Sequence, residues 1–443
     1  MSDLFTLQFK EYVDLDEFSD CCLGLQQVLC ALNEGTKESE LRQIIVETEG
    51  ADYLPQLEQH LNYLTGIGQV CYLIRQGETE LARLIPCSTF EYHPEFYTPQ
   101  NEQYVISRFA YCHREDSTFF WRSALGKSIV SIKETFSAVV LYSLLQPHNK
   151  FELSQKLDVP IDLISAFLTL CCSAKLLVSV EAVEPLSLTQ WEFHDLLFHS
   201  LSRQGRQPHP VGKSLRFKGI IEPPPPIKPA LTPHPIPLEK PEVNNNPSFF
   251  TVLEARKSIR TPGPVPLTAK QLGEFLYRCA RVREITDRGY MQCTNRPYPS
   301  GGASYELEIY PVIEDCQGLE RGIYHYCPLH HHLAPISCRD EQIDRLMRDA
   351  TNANGDDVCP NVLLVITARF ARVSWAYESM GYSLILKHVG VLYQTMYLVA
   401  TAMNLAPCAL GAGNPDHFVE ATGTNYYEES SVGEFMLSSL AIV

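Results

Sequence analysis

The segment Arg256-Lys257-Ser258-Ile259-Arg260 gathers positive charge around one hydroxyl group in a chain that is otherwise acidic. A phosphate dianion is bound well by guanidinium groups together with a hydroxyl donor, because each guanidinium presents N–H donors in a fixed fork. In an extended turn just past a predicted helix end, the alternating spacing lets side chains 256, 258 and 260 converge. We therefore predict a phosphate site at these residues. A solvated charged surface at a helix end is the alternative.

Two glycine-rich turns could line a flat ligand. The first, in "RPYPSGGASYELEIYPV", runs directly into a predicted strand, and the second, in "PCALGAGN", follows a long apolar segment. Glycine lets the backbone approach a ring closely, and main-chain N–H groups in such turns can face ring acceptors. The predicted ring-lining residues are Pro299, Ser300, Gly301 and Gly302 in the first turn, and Ala409, Leu410, Gly411 and Gly413 in the second.

The histidine-rich segment "YHYCPLHHHL" raises the question of a metal site at His325, His330, His331 and His332. Adjacent histidines in a strand point to opposite faces, and no carboxylate or thiolate pattern completes a ligand set. We predict a surface hairpin here and no metal. His194 and His199, five positions apart, do not share a helix face well, so we assign them a core or interdomain role.

The elements that must position these residues form a predicted α+β domain over 248–443. Helices are predicted to about Ile259 and over "TAKQLGEFLYRCARV", an alternating strand over "ASYELEIYPVI", and further strands over "GIYHYC" and "NVLLVITARF". The long apolar segment 381–405 contains Lys387, His388 and Gln394 near its middle, which is costly in a membrane. It is therefore predicted as a helix buried in the domain or at a subunit contact.

The first half of the chain predicts two winged-helix units, 1–98 and 99–185, from their short helices and paired strands. Residues 1–100 hold five Lys or Arg against seventeen Asp or Glu, so a phosphate backbone would be repelled. Peptide binding by edge-strand addition is the functional interpretation. The alternative is that these units only pack against the catalytic part or support a dimer.

Between the two halves, residues 186–247 are predicted to be a linker, proline-rich from Pro208. Eleven prolines occur between Pro208 and Pro241, and such a run forms neither a helix interior nor a central strand. The segment is basic, so we expect it to be stiff and extended, and able to lie along an acidic surface of its own protein.

Composition limits the function further. The 443 residues carry a net charge of −16 with 45% hydrophobic residues, which argues against general nucleic-acid or anionic-membrane binding. The fifteen cysteines include no CxxC pair, and the N-terminus has no secretory signal, so we expect free thiols in a cytoplasmic protein.

Several of these segments together resemble a known family. The Arg-x-Ser-x-Arg run, "YPSGGASYELEIY", "GIYHYCPLHHHL", "WAYESMGYSLILKHVGVLYQTMYLVATAMNLAPCALGAGN" and "SSVGEFML" are similar to the SagB-type, McbC-like branch of the nitroreductase superfamily. "WEFHDLLFHSLSRQGRQ" resembles the segment before the flavin domain in that branch, with particular similarity to cyanobactin thiazoline oxidases. The resemblance is strong over about 190–443, and the N-terminal units resemble peptide recognition elements.

The resemblance implies a nitroreductase-like FMN domain preceded by two winged-helix units. The implied activity is FMN-dependent dehydrogenation of peptide thiazolines or oxazolines to azoles, with hydride passing to flavin N5 and oxygen reoxidising the flavin. It further implies a homodimer with FMN at the subunit interface. The phosphate would bind to Arg256, Ser258 and Arg260 with Lys257 nearby, and the two glycine-rich turns would line the isoalloxazine.

The chain departs from the family pattern at the catalytic base. Many nitroreductases also add a basic residue near the C-terminus to the phosphate site, whereas no Lys or Arg follows Lys387 here, so the basic phosphate contacts are expected mainly from residues 256–260. Where the family commonly has a Lys-Tyr pair, this chain has Ala376-Tyr377. Tyr377 is therefore our first catalytic candidate and Lys387 our second, and Ala376→Lys is expected to raise the rate or lower the pH optimum. The alternative functions are an FMN nitroreductase-like reductase that uses a nicotinamide donor, and a non-catalytic peptide-binding scaffold.

Overall fold

The computed structural model describes residues 5–14, 21–87, 92–97, 99–207, 209–242, 247–355 and 358–441. The chain divides into two compact units, Met1–Val211 and Gly212–Val443. None of the helices in these residues combines the length and the hydropathy that a membrane span needs.

The first unit contains nine strands and eight helices among its described residues. The strands are β1 (Thr6–Phe9), β2 (Thr36–Lys37), β3 (Val70–Gln76), β4 (Thr79–Pro86), β5 (Tyr104–Ile106), β6 (Ala110–Glu115), β7 (Thr118–Ser123), β8 (Ser128–Ile132) and β9 (Leu177–Ser179). The helices are α1 (Leu23–Glu34), α2 (Glu38–Thr48), α3 (Leu54–Gly66), α4 (Thr135–Ser143), α5 (Lys150–Leu157), α6 (Ile161–Ser173), α7 (Leu186–Thr189) and α8 (Phe193–Leu201).

One antiparallel sheet of seven strands runs through the first unit in the order β2-β1-β3-β4-β8-β7-β6. The predicted units 1–98 and 99–185 share this sheet, because β4 of the former pairs with β8 of the latter. Leu84, Val130 and Phe167 lie in one core, so the apolar faces of both segments are buried together. Up to β4, the order of strands and helices is compatible with a winged-helix unit.

The second unit begins with residues that we predicted as linker. Its strands are β10 (Gly212–Lys213), β11 (Ile236–Pro237), β12 (Leu267–Thr268), β13 (Glu284–Asp287), β14 (Gln292–Asn295), β15 (Leu307–Ile313), β16 (Cys316–Gln317), β17 (Gly322–Cys327), β18 (His332–Ile336), β19 (Val362–Arg369), β20 (Tyr377–Glu378), β21 (Leu405–Leu410) and β22 (Glu429–Ser439). Its helices are α9 (Phe249–Ala255), α10 (Ala269–Ala280), α11 (Asp340–Asn354), α12 (Ala371–Ser374), α13 (Gly381–Ala402) and α14 (Pro415–Thr422).

A second seven-stranded antiparallel sheet, in the order β11-β18-β17-β15-β19-β22-β21, forms the centre of this unit. Helices α10 and α13 pack on one face and α11 and α14 on the other. Strand β15 is consequently buried at every position, including Glu308. The predicted polar-apolar alternation of "ASYELEIYPVI" is therefore wrong, because helices cover both sides of this strand.

The predicted long helix forms as α13, and one of its faces is buried. The buried positions recur every three or four residues, for example at Ile385, Val389, Leu392 and Met396. Beside this face, Leu386 is 40% exposed. The helix is therefore not buried on all sides within this chain, although its sequence is apolar nearly throughout.

The predicted linker is partly an ordered element of the second unit, which we call the strap (residues 212–240); Pro208 lies outside the described residues. The indole N–H of Trp375 donates to the carbonyl oxygen of Ile221, Arg372 donates to that of Pro224, and Arg369 donates to that of Pro225, each over 2.7 Å. Proline removes N–H donors but keeps its carbonyl acceptor, so a proline-rich segment can be held through its carbonyl groups.

The strap also contacts acidic groups of the second unit. The ammonium of Lys228 donates to the carboxylate of Glu429 and, over 2.8 Å, to the hydroxyl of Tyr310. Farther along, β11 of the strap adds to the edge of the sheet by pairing with β18.

Candidate functional site

The predicted phosphate residues lie in an extended segment that follows α9. Ser248 caps the start of this helix by accepting the N–H of Thr251, and the helix ends at Ala255, because the next residue, Arg256, has a φ of −58° and a ψ of 124°. The N–H of Ile259 then donates to the carbonyl oxygen of Pro407 over 2.8 Å, which fixes the segment beside β21. We call residues 256–260 the cationic loop.

Tyr397 on α13 connects the cationic loop to the second glycine-rich turn. Its hydroxyl lies 2.8 Å from the hydroxyl of Ser258 and accepts the N–H of Ala409 over 2.8 Å. The guanidinium carbon of Arg256 lies 5.3 Å from the centre of the Tyr397 ring, which is within cation–π range. When the phenol donates to Ser258, the serine keeps its own O–H for a ligand. The sequence did not identify Tyr397, because an aromatic residue in an apolar helix is typical of a core.

Beyond Ala409, the second turn borders a cavity of about 510 Å³. A Cβ atom at Gly413 would collide with the carboxyl group of Glu434, and one at Gly433 would collide with the hydroxyl of Tyr393. Nothing lies within 4 Å of the Cβ position of Gly411, so this side of the turn is open. The cavity is lined by Val389, Tyr393, Leu410, Gly411, Ala412, Gly413, Pro415, Ser431, Val432, Gly433 and Glu434.

Glu434 places a titratable carboxyl in this cavity, at a position that the sequence analysis missed. Burial raises its pKa above the usual value, the negative charge of Asp349 adds to the rise, and the contact with the Ser431 hydroxyl only partly opposes it. The cavity therefore holds a carboxyl group that keeps its proton more readily than a solvated glutamate.

The first glycine-rich turn is held by a buried histidine and glutamate. The N–H of Gly301 donates to Nε2 of His388 over 2.7 Å, and Nδ1 of His388 lies 2.7 Å from the carboxylate of Glu306. Because Nε2 accepts a hydrogen bond, the ring proton resides on Nδ1 and is donated to Glu306. Both side chains are buried.

Tyr377 contacts the same turn. Gly302 has a φ of 63°, and a Cβ atom there would collide with the hydroxyl of Tyr377, so glycine is required for both backbone conformation and space. Burial raises the pKa of Tyr377, while the positive charges of Lys213 and Arg288 oppose the rise. The structure thus brings the first catalytic candidate against the first predicted turn as a neutral phenol.

Lys387, the second catalytic candidate, is not brought to either turn. Its side chain is exposed and donates to the hydroxyl of Ser383 over 3.3 Å. The neighbouring His388 is the residue that contacts the turn.

Ala376 is fully buried in a cluster with Met291 and Trp375. A lysine there would bury its ammonium group or displace these neighbours. This burial contradicts the expectation that Ala376→Lys raises the rate.

The histidine-rich segment forms the predicted hairpin from β17 and β18; His330 at its turn is exposed, but two of its four histidines are buried. His325 is buried and lies 3.0 Å from Glu308, and His331 is buried against the hydroxyl of Tyr326. Burial alone would raise the pKa of Glu308, yet His325, Arg296 and Arg369 outweigh it and hold that pKa at about 2. These histidines therefore serve buried polar contacts of the sheet.

His194 and His199 lie on α8, and both are exposed. The core role that we considered for them is therefore wrong. The ring of His199 packs at a tilt of 31° against Trp191, with ring centres 5.6 Å apart.

Helix α13 organises the site into two groups. His388 contacts the first turn, while Tyr397 contacts the cationic loop and the second turn. His388 and Tyr397 are nine positions apart on α13, which corresponds to two and a half helical turns and a rise of about 13.5 Å. The two side chains therefore leave opposite sides of the helix. The cationic loop and the second turn form one group, and the first turn and Tyr377 form the other.

Two family models match the chain. The model of the cyanobactin oxidase ThcOx matches residues 104–208, and the model of the nitroreductase family matches residues 253–433. The second match contains the cationic loop, both glycine-rich turns and Tyr377.

Individual relatives each match part of this chain. A Methanocaldococcus jannaschii protein named as a nitroreductase is 31% identical over 161 residues, which are 36% of this chain and 77% of that protein. The microcin B17-processing protein McbC of Escherichia coli is 32% identical over 132 residues, 29% of this chain and 47% of McbC, so the match spans about half of McbC. The solved E. coli microcin synthetase McbBCD complex with truncated pro-MccB17 bound has a chain that is 17% identical, with a TM-score of 0.36, covering 59% of this chain and 99% of that chain.

Proposed function

This chain belongs to the nitroreductase family, and on that premise we propose that it is an FMN-dependent oxidase that converts thiazolines or oxazolines in ribosomally made peptides to thiazoles or oxazoles. The observation that carries the proposal is the order of the two family matches. A cyanobactin oxidase segment at 104–208 precedes the nitroreductase segment at 253–433 in one chain. The similarity to McbC, a protein named for processing a peptide, supports the same substrate class.

The cationic loop fits a cofactor phosphate. Within the described residues, Arg256, Lys257 and Arg260 have no carboxylate partner, although the chain carries a net charge of −16. Unneutralised cations beside the Ser258 hydroxyl are what a phosphate dianion requires. We assign the phosphate to Arg256, Ser258 and Arg260, with Lys257 beside them.

The isoalloxazine ring is assigned to the two glycine-rich turns. Pro299, Ser300, Gly301 and Gly302 would line it from one side, and Ala409, Leu410, Gly411 and Gly413 from the other. The two groups lie on opposite sides of α13, so we propose that each FMN site combines the cationic loop and second turn of one copy with the first turn and Tyr377 of a second copy.

The reaction removes two hydrogens from the azoline ring. One leaves as a proton from the carbon between the imine and the carbonyl group and is taken up by solvent water, and the other leaves as a hydride from the neighbouring ring carbon. FMN, when bound, supplies the acceptor for the hydride and passes the electrons to oxygen. The chain must therefore orient the ring and assist loss of the proton.

We assign that assistance to Tyr377. Because burial raises its pKa, the side chain is a phenol at neutral pH and is suited to donate a hydrogen bond. A hydrogen bond from the phenol to the carbonyl oxygen or imine nitrogen of the azoline stabilises the charge that develops as the proton leaves. The exposed position of Lys387 gives no support to a catalytic role for that residue.

The first unit is assigned to peptide recognition. Strand β6 is an edge of its sheet, so its outer backbone groups can pair with an extended peptide. A main-chain ladder of this kind needs no basic surface, which agrees with the acidic composition of residues 1–100.

A purified-protein spectrum and a peptide assay test this function. We expect oxidised-flavin absorption, and oxygen-dependent loss of two hydrogens for each ring of a thiazoline peptide by mass spectrometry. The matched control is the same peptide without the thiazoline ring. Nicotinamide-dependent nitro reduction without ring oxidation would instead establish the reductase, and a colourless protein that binds the peptide would establish the scaffold.

A further inference from the structure

The strap brings one of its cations to the candidate catalytic tyrosine. Its first strand, β10, pairs with β20 in antiparallel register, and Lys213 lies directly opposite Tyr377. Directly opposed residues in an antiparallel pair project from the same face of the sheet, with Cβ atoms about 4.5–5.5 Å apart. The N–H of Leu215 donates to the carbonyl oxygen of Ala376 over 3.1 Å and extends this pairing.

Lys213 is oriented by a second aromatic residue. Its ammonium donates to the hydroxyl of Tyr290 and lies 4.0 Å from the centre of that ring. Leu215 and Phe217 of the strap pack against the cluster of Met291, Trp375 and Ala376, so the backbone that carries Lys213 is fixed by apolar contacts. The lysine is therefore held at Tyr290, on the face of the β10–β20 pair that it shares with Tyr377.

The charged and titratable groups that face Tyr377 come from two segments. Lys213 is on the strap; Arg288, Tyr290 and Cys293 are on the hairpin formed by β13 and β14. Lys213 and Arg288 favour loss of the phenolic proton, whereas Tyr290 and Cys293 oppose it. Lys213 exerts the largest influence of these charges, second only to burial.

We propose that Lys213, carried on the proline-rich strap, is a positioning residue that orients Tyr377 and strengthens its phenol as a hydrogen-bond donor at the first glycine-rich turn. This inference rests on the proposed function, because it concerns the same tyrosine. A nearby ammonium stabilises negative charge on the phenolic oxygen, and a phenol with a more stable anion donates a stronger hydrogen bond. No covalent step is required of Lys213. The strap is thus a part of the reaction site as well as a connection.

The first experiment measures the titration of Tyr377 without any substrate. We would place 3-fluorotyrosine at position 377 alone in the full chain and follow its fluorine resonance against pH in the wild type, Lys213→Met, Lys213→Arg and Lys218→Met. Lys218 is an exposed lysine on the same strap and is the matched control. Lys213→Met is expected to move the midpoint to higher pH, while Lys213→Arg and Lys218→Met stay close to the wild type.

An unchanged midpoint in Lys213→Met, with the fold intact by circular dichroism, would overturn the proposal. A rise of the same size in Lys218→Met would also overturn it, because the effect would then be one of general charge. If Lys213→Met does not fold, Lys213→Gln and Lys213→Arg provide the same comparison between a neutral and a charged side chain.

The second experiment measures the reaction. Lys213→Met is expected to slow azoline oxidation about tenfold, mainly in kcat, with flavin content unchanged and with recovery in Lys213→Arg. Equal rates in Lys213→Met and the wild type would contradict the inference. A shifted fluorine midpoint in a protein whose wild type does not oxidise azolines would uphold the Lys213–Tyr377 coupling and reject the proposed function, so the two failures are distinguishable.

Discussion

Three cations at residues 256–260 stand beside one hydroxyl, and their charge is not neutralised by any carboxylate of the described chain. Unpaired like charges repel one another, so the binding of an anion lowers the electrostatic free energy of this loop. The same loop is fixed by the hydrogen bond from Ile259 to Pro407. Its binding geometry is thus set by the backbone, and its side chains are available for the ligand.

Arg256→Ala and Arg260→Ala are each expected to purify with less flavin and to melt at a lower temperature than the wild type. A cofactor present at about a thousand times its dissociation constant stabilises a protein by roughly 4 kcal/mol, and a weaker phosphate contact forfeits part of that. Flavin absorbance and thermal unfolding measure both effects. Lys270→Ala is the control, because Lys270 pairs with Glu239 on the surface. Equal flavin content in all four proteins would contradict the phosphate assignment.

Tyr377→Phe is expected to keep its flavin and to oxidise azolines about 10²- to 10³-fold more slowly, the usual cost of losing one hydrogen-bond donor to developing negative charge. The ring that packs against Gly302 is retained, and only the hydroxyl is removed. Single-turnover measurements observe the chemical step directly. A wild-type rate under those conditions would leave Tyr377 with a structural role alone.

Glu434→Gln is expected to be more stable than the wild type at neutral pH and equal to it near pH 4. Burial raises the folded-state pKa of Glu434, so the folded chain holds a proton that the unfolded chain has already lost. Stability of the wild type therefore falls as pH rises from the usual glutamate pKa through the folded one. Denaturant unfolding at several pH values measures this, with the exposed Glu254→Gln as the control. A pH-independent difference would contradict it.

The sequence predicts site residues where their pattern is local. The spacing of Arg256, Ser258 and Arg260 and the two glycine-rich turns are each contained within a few positions. Tyr397 and His388 could not be assigned, because their partners Ser258 and Gly301 lie 139 and 87 positions away. A side chain that acts through such a distant contact has no periodic or spacing pattern of its own.

At the scale of elements, α13 determines how the site is divided. His388 leaves one side of the helix to hold the first turn, and Tyr393 and Tyr397 leave the other to contact β22 and the cationic loop. A change on one side of α13 should therefore affect one group of site residues more than the other.

His388→Leu is expected to destabilise the second unit by about 3–5 kcal/mol, because it leaves the Glu306 carboxylate buried without its partner. It also removes the acceptor for the N–H of Gly301. Chemical denaturation measures the loss. The double variant Glu306→Leu with His388→Leu should recover part of the stability, since it buries no unpaired charge. A double variant less stable than His388→Leu would refute this account.

The element predictions succeed where periodicity is strong and differ where tertiary contacts override it. The long helix at 381–405 and the strands at "GIYHYC" and "NVLLVITARF" appear as α13, β17 and β19. The sequence could not predict that β4 and β8 join the two N-terminal segments, because sheet pairing is a long-range property. The sequence also could not predict that the strap is ordered. The N–H groups that hold its carbonyl oxygens belong to Arg369, Arg372 and Trp375, which are far from the strap along the chain.

At the scale of the whole molecule, one copy of this chain holds the two groups of site residues apart. The cationic loop and the first turn attach to opposite sides of α13, whose remaining surface leaves Leu386 exposed. A second copy that covers this helix can bring the two groups together.

Two inactive variants are therefore expected to restore activity when they are combined. We would co-express an Arg256→Ala, Arg260→Ala chain with a Tyr377→Phe chain. A mixed dimer has one site with both groups intact, so a random mixture should recover about a quarter of the wild-type activity. Sites formed within single chains would all stay damaged, and no recovery would then be seen. Light scattering gives the mass of the active species.

The way in which the strap is held has a consequence for how its sequence can vary. The donors of Trp375, Arg372 and Arg369 contact the carbonyl oxygens of Ile221, Pro224 and Pro225, and a carbonyl is offered by every amino acid. Side chains at these three strap positions can therefore be exchanged during evolution while the acceptors stay in place. The donor side chains cannot be exchanged in the same way. Arg372, for example, also donates to the carbonyl oxygens of Ser304 and Gln292. Sequence variation should accordingly concentrate at these three strap positions and spare the arginines that hold them.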